Sequence, residues 1–257
     1  MEYVLKTKEE IDRLQTQNNS DGYSVATELE GFTFSDNSTV LDIGCGAGTL
    51  TEYLLSNFNI QSHACDLVED HVEFCKEKFK NKSTVFQHDI LEAPTKEKYD
   101  YIVMRYVPHH LGEEMFIRAA KNMKASLNID GQLVIIDIDG MFRNLGTVNK
   151  ELRGYIDTLV EKFSGDFLIG RKIASILNGL NFGCIRNNIQ LVDLGLNQRE
   201  LEVEQMKERF RLASDGLVQI FQDEKKNRRF TELFIEELEQ ETTSYHVTKF
   251  IVSAVNS

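Results

Sequence analysis

Two prolines and no tryptophan occur in 257 residues, and no apolar run approaches the roughly 20 residues that a membrane-spanning helix needs. With no Pro-rich linker, repeat or low-complexity tract to divide it, the chain is expected to form one domain over residues 1–257. Positive charge is also in deficit: 29 Lys and Arg against 41 Asp and Glu leave a formal charge of −12. Tight sequence-independent binding to a polyanion depends on neutralising phosphates, so nucleic acid is not expected as a partner. The basic cluster Lys225, Lys226, Arg228 and Arg229 is flanked by Asp223, Glu224 and the acidic run 236–241, and reads as a solvated face. Cysteine is scarce and unpatterned. Cys45, Cys65, Cys75 and Cys184 form no CxxC pair and have no histidine at metal-ligand spacing, so reduced thiols and no metal site are expected. The start, Met1 to Lys6, shows neither a secretory signal nor a basic amphipathic presequence, which makes the cytoplasm the expected location.

What is present is strand alternating with helix. Apolar or β-rich runs fall at 39–43, 61–65, 84–87, 101–104, 132–138, 185–192 and 246–255. Between them, Val68, Val72, Cys75 and Phe79 make one helical stripe, and Met115, Phe116, Ala119, Met123 and Leu127 make another. The order predicts an α/β fold: a doubly wound, mainly parallel seven-stranded sheet with helices on both faces. Three stretches exceed what such a sheet needs. Residues 1–30, with two short helices over 6–30, read as an N-terminal helical cap, and 144–163 and 197–242 read as helical lid insertions. Helices added beyond the carboxyl ends of the strands stand where the ligand crevice of such a sheet lies.

The run Val40-Leu41-Asp42-Ile43-Gly44-Cys45-Gly46-Ala47-Gly48 carries the most information. An apolar strand enters a glycine loop that opens a helix over 49–58, a geometry in which the backbone approaches a ligand closely and free N–H groups attract oxygen atoms. A dinucleotide fingerprint would place glycine at Thr49; here the pattern is GxGxG, with Asp42 two residues before the first glycine. In this form the segment resembles motif I of the class I S-adenosylmethionine-dependent methyltransferases, and the resemblance runs from about Val40 to Val192, closest to the small-molecule branch of the ubiquinone and menaquinone biosynthesis type.

The resemblance implies S-adenosyl-L-methionine as cofactor and S-adenosyl-L-homocysteine as product. It places Gly44, Cys45 and Gly46 against the ligand backbone and gives Asp66, after the second strand, both ribose hydroxyls. A carboxylate suits a vicinal diol, offering two oxygens to two donors. Asp89 takes the position of the adenine amine contact, with Leu67 and Ile90 packing on the purine. Arg105 ends the fourth strand where a backbone carbonyl meets the methionine amino group, which Asp42 helps to orient.

The methyl acceptor is less legible. Methyl transfer asks the protein for orientation, a dry site and sometimes a base. The stretch Arg105-Tyr106-Val107-Pro108-His109-His110 lacks the Asp/Asn-Pro-Pro-Tyr/Phe of exocyclic-amine methylation, the Pro-Cys of cytosine carbon methylation and the acids of the metal-assisted type. His109 and His110 are the candidate bases, set against a packing role. Asp137 and Asp139, on one strand face, together with Arg143 and Tyr106, are candidate acceptor contacts. The expected partner is a small-molecule acceptor; a homodimer is compatible with the sequence. A non-catalytic cofactor-binding module, or a protein or RNA methyltransferase, are the competing readings.

Overall fold

A computed structural model describes residues 8–17, 20–194 and 198–257. Seven strands form one sheet in the order β3-β2-β1-β4-β5-β7-β6. They are β1 (Thr39–Ile43), β2 (Gln61–Asp66), β3 (Ser83–Gln87), β4 (Tyr99–Arg105), β5 (Leu127–Asp139), β6 (Gly183–Asp193) and β7 (His246–Val255). β1 to β5 pair in parallel, and β7 enters antiparallel between β5 and β6. The helices are α1 (Lys8–Gln17), α2 (Val25–Glu28), α3 (Thr49–Asn57), α4 (Glu69–Phe79), α5 (Pro108–Ser126), α6 (Lys150–Lys162), α7 (Ile173–Gly179), α8 (Arg199–Leu212), α9 (Ser214–Phe221) and α10 (Glu224–Glu239). The expected doubly wound sheet is present.

Strand alternation divides the core between two faces. Leu41, Ile43, Ile102, Met104, Leu133 and Ile135 meet α5 and α7 on one side, while Val40, Val103, Val134 and Ile136 meet α2 and α3 on the other. Both faces are covered, which is why the central strands read as continuous apolar runs. Each fully buried Leu or Ile contributes about 1.5–3 kcal/mol, so these layers hold the carboxyl ends of the strands in fixed register.

A separate aromatic core joins the additional helices. Phe142, Phe167, Phe210, Phe221, Phe230 and Phe234 pack together, with α8, α9 and α10 in mutual contact and α6 against α9 and α10. The stretch 197–242, predicted helical throughout, is three helices. It breaks at Ala213, and again at Gln222, which takes a left-handed φ of 54° before the Asp223 carboxylate caps α10. The predicted 144–163 helix starts only at Lys150, where the Asn149 side chain caps it. Ahead of that cap, Leu145 bridges to Tyr245 and Gly146 sits so close to Ser244 that no Cβ would fit. Between 6 and 30, α1 and α2 flank a short 3-10 turn at Asp21–Tyr23. Positions 1–7 of the predicted cap, positions 18–19 within it, and Asn197, at the start of the second predicted lid, lie outside the described residues. Among the described residues no helix is long and apolar enough to cross a membrane.

Candidate functional site

The glycine loop follows β1 because three of its residues adopt conformations that side chains rarely take. Gly44, Gly46 and Gly48 have φ of 75°, 51° and 75°. A Cβ on Gly44 would lie 2.4 Å from Val107, and one on Gly48 would lie 2.5 Å from Phe79. Close approach, as well as turning, therefore demands glycine. The Gly44 and Cys45 N–H groups donate to the Cys65 carbonyl at 2.8 and 3.1 Å, docking the loop on the end of β2. Cys45 and Cys75 are buried neighbours, their sulfurs 3.9 Å apart; both are free thiols, as are Cys65 and Cys184.

Asp66 closes β2 beside this loop. One carboxylate oxygen accepts the Gly46 N–H and the other accepts the Val68 N–H, both at 2.9 Å. Each oxygen keeps lone-pair capacity for a further donor. His71 stands 3.4 Å from the same carboxylate, its ring buried. Next along the chain, Leu67 is 53% exposed although apolar, so this rim presents a greasy surface beside an anionic one. Asp89, after β3, accepts the Leu91 N–H at 2.8 Å, and Ile90 is buried in the core beneath. Asp66, Leu67 and Asp89 thus stand along the carboxyl ends of β2 and β3, next to the loop that ends β1.

Asp42 lies below the loop, fully enclosed, where its carboxylate accepts the Thr51 hydroxyl of α3 at 2.7 Å. Burial pushes its pKa up to about 7, against the opposing effects of the Thr51 hydrogen bond and the nearby Arg105 charge.

The end of β4 is tied to the N-terminal segment by buried charge. Arg105 donates to Glu28 and to the Tyr23 carbonyl, both at 2.6 Å; the Tyr106 hydroxyl donates to Glu28 at 2.5 Å, and Lys249 donates to it at 3.0 Å. Glu28 and Lys249 are essentially without solvent contact. Despite its burial, which acts the other way, Glu28 is held below the usual carboxylate range by Arg105, Lys249 and Tyr106. Tyr106 makes the turn out of β4 with a φ of 58°.

His109 opens α5 with two bonds to Asp137: its backbone N–H and its Nδ1 each lie 2.8 Å from a carboxylate oxygen. Asp137 is fully buried and also accepts the Ile138 N–H. His110 packs beside it with its ring tilted by 39°, ring centroids 3.9 Å apart. Burial, then His109, Arg13 and Arg209, push the His110 pKa well below the ordinary histidine value, so this ring is neutral at pH 7. Asp139 is clasped by Arg171 through two nitrogens and the Arg171 backbone N–H. Arg143 pairs with Asp157 at the surface, 2.9 Å away.

The structure brings Asp42, Gly44, Cys45, Gly46, Asp66, Leu67, Asp89 and Ile90 to one rim of the sheet, and gathers Arg105, Tyr106, His109, His110 and Asp137 at the neighbouring strand ends. Arg143 stands apart, and Asp139 faces Arg171. Tyr23, Glu28, Thr51, Arg209 and Lys249 had no sequence signal. Four come from helical segments or a strand whose placement no motif announces, and Thr51 reads simply as a helix residue. Among the described residues no group of three or more His, Cys, Asp or Glu is arranged to hold a metal ion.

A family model described as a methyltransferase domain matches residues 40–131. An uncharacterized methyltransferase of Staphylococcus carnosus is 35% identical over 98 residues, 38% of this chain and 46% of that protein. The solved cyclopropane synthase MmaA2 of Mycobacterium tuberculosis aligns with a TM-score of 0.61 at 17% identity, covering 97% of this chain and 86% of that one. Phosphoethanolamine N-methyltransferase 2 of Haemonchus contortus, solved with S-adenosylhomocysteine, gives 0.56 at 16% identity, covering 95% and 52%. The chain spans about half the length of the first curated relatives it matches, 46% and 50%. At these identities the structural likenesses establish the fold.

Proposed function

We propose that the chain is a class I S-adenosylmethionine-dependent methyltransferase, a reading that the methyltransferase-domain match over residues 40–131 supports, and that it transfers the sulfonium methyl of that cofactor to an oxygen, nitrogen or carbon of a small organic acceptor. The observation that carries the reading is the Asp66 carboxylate fastened to the Gly46 N–H beside the exposed Leu67. A carboxylate able to accept from a diol, next to an uncovered apolar side chain, fits an adenosine.

In this reading Asp66 receives the two ribose hydroxyls and Asp89 the adenine amine. Leu67 covers the purine, with Ile90 beneath. The Arg105 carbonyl and Asp42 face the methionine amino group, and Gly44, Cys45 and Gly46 line the path between. The bound cofactor supplies a methyl on cationic sulfur, open to in-line displacement. His109, oriented by Asp137, and the neutral His110 stand on the acceptor side, where an unprotonated imidazole can accept a hydrogen bond or a proton from the acceptor. Glu28 works from below: by engaging Arg105 and Tyr106 it fixes the turn after β4 from which both histidines project. α1 and α8 pack together, and Leu14 of α1 lies over Gly46. That cover supports water exclusion and hence a catalytic role. The charge of −12 supports a non-nucleic-acid acceptor and a cytoplasmic setting fits the same picture.

The test is S-adenosylhomocysteine release from S-adenosylmethionine with a panel of small acids, amines and hydroxyl compounds. Acceptor-dependent release that disappears in Asp66→Ala is expected. Tight cofactor binding with no acceptor-dependent release would favour the non-catalytic module.

A further inference from the structure

Arg209 projects from α8 toward the carboxyl end of β5 and the amino end of the antiparallel β7. Its Nη2 donates to the Tyr23 hydroxyl at 3.3 Å and its Nη1 contacts the Met141 sulfur at 3.7 Å. Among the described residues no carboxylate lies within ion-pair distance of this guanidinium. Glu202, two turns earlier on the same helix, accepts the Ser20 hydroxyl instead. The contrast with the neighbouring arginines is direct: Arg13 has Glu10, Arg105 has Glu28, and Arg171 has Asp139. A guanidinium carries five N–H donors, and one long bond to a phenol and one to a thioether leave most of that capacity unused.

Both contacts of Arg209, Tyr23 and Met141, line one small cleft, whose walls also include Asp139, Phe142, Tyr245 and His246. The cleft opens beside the end of β5, the strand whose Asp137 holds His109. His110 feels the charges of both Arg209 and Arg13. The acids around this region are already committed: Asp137 to His109, Asp139 to Arg171, Glu28 to three donors, Glu10 to Arg13, and Glu202, which acts on Arg209 from a distance, to Ser20. Arg209 therefore stands beside this cleft, behind Tyr23 and Met141, as a cation with spare donors next to two phenols, and the carboxylate in the cleft wall, Asp139, is already held by Arg171. A cationic acceptor would find no partner there; an anion would. Glu202 acts on Arg209 only from a distance, so the guanidinium keeps its direct hydrogen-bonding capacity for an incoming oxyanion.

We propose that Arg209, with the Tyr23 and Tyr245 hydroxyls, holds an anionic group of the methyl acceptor, a carboxylate or a phosphate. The acceptor is accordingly an acid whose methylated atom lies on the side of the two histidines. This inference rests on the methyltransferase reading and adds the acceptor's charge to it. Arg–oxyanion pairing is charge-assisted and can be bidentate, so the guanidinium fork matters as well as its charge.

The experiment is calorimetric titration of inorganic phosphate and of acetate, at fixed ionic strength with chloride as control, into the protein alone and saturated with S-adenosylhomocysteine. Saturable binding of at least one of the two anions is expected, about tenfold or more weaker in Arg209→Met, with affinity for S-adenosylhomocysteine unchanged. Arg209→Lys, which keeps charge and loses the fork, and Tyr23→Phe should each weaken anion binding several-fold. These two variants carry the comparison if Arg209→Met does not fold. Absence of saturable binding in the wild type, or equal binding in the variants, would overturn the proposal. Anion binding lost in the variants from a protein that takes no S-adenosylhomocysteine would overturn the cofactor reading and leave the anion site standing.

Discussion

The Asp66 carboxylate accepts the Gly46 N–H at 2.9 Å, joining the end of β2 to the loop that ends β1. One side chain thus sets the shape of the glycine loop and, in the proposed reading, also receives the cofactor's ribose. Preorganisation of this kind means that the site does not have to assemble on binding, so its affinity is not spent on ordering.

The loop glycines should differ sharply from a glycine in open space. Gly44→Ala places a methyl against Val107 at a left-handed φ and should cost about 1–3 kcal/mol in stability. Gly154→Ala, in the middle of α6 with nothing near a Cβ, should stabilise by about 0.5–1 kcal/mol. Urea denaturation of both variants checks the pair.

Asp42 should couple stability to pH. The folded protein keeps its proton up to about pH 7, whereas the ordinary value is 3.8. The folded state therefore binds more protons between those values, and the contribution of Asp42 to stability falls as pH rises from about 4 to 7, then levels. The lost stability is on the order of a few kcal/mol. Asp42→Asn, which keeps an acceptor for Thr51, should be more stable than wild type at pH 8, with a smaller gain at pH 5, while binding S-adenosylhomocysteine more weakly. Thermal melts across pH test the sign; an equal gain at both values would contradict it.

The buried charges at Glu28 should respond asymmetrically. Glu28→Gln leaves Arg105 and Lys249 enclosed without a carboxylate and should cost about 3–5 kcal/mol. Lys249→Met leaves Glu28 with Arg105 and Tyr106 and should fall within about 1 kcal/mol of wild type, or above it. Denaturant midpoints with unchanged slopes would show both.

His109 and His110 should separate by phenotype. His109→Ala removes one of the bonds to the buried Asp137 carboxylate and should destabilise by about 1–3 kcal/mol. His110→Ala leaves both bonds from His109 to Asp137 in place, so it should cost less stability than His109→Ala while lowering turnover. Melting temperature alongside acceptor-dependent S-adenosylhomocysteine release distinguishes them, and the reverse pattern would exchange their roles.

The parallel sheet was legible in the sequence, and so was the clustering of the candidate cofactor residues at one rim, because both depend on local signals. Val40 to Gly48 announces strand, loop and helix within nine residues, and Asp66 and Asp89 follow at strand ends. The proposed acceptor side was not legible because it is assembled from distant pieces. Glu28 meets Lys249 across 221 positions, and Arg209 meets Tyr23 across 186. Periodicity gave the additional helices but not their breaks: Gln222 enters the left-handed region without glycine, and Asn149 caps a helix whose preceding residues are held by contacts with 244 and 245. Asp139 read as a possible acceptor contact; its engagement by Arg171, 32 positions away, depends on a turn that no spacing reveals.

The most direct measurement of the central claim is calorimetric titration with S-adenosylmethionine, S-adenosylhomocysteine and NAD, on wild type and on Asp66→Ala. Binding of both sulfur compounds and not of NAD is predicted, weakened in the variant by about tenfold or more, equivalent to about 1.4 kcal/mol. Absence of binding, or affinity indifferent to Asp66, would contradict the cofactor assignment on which the account stands.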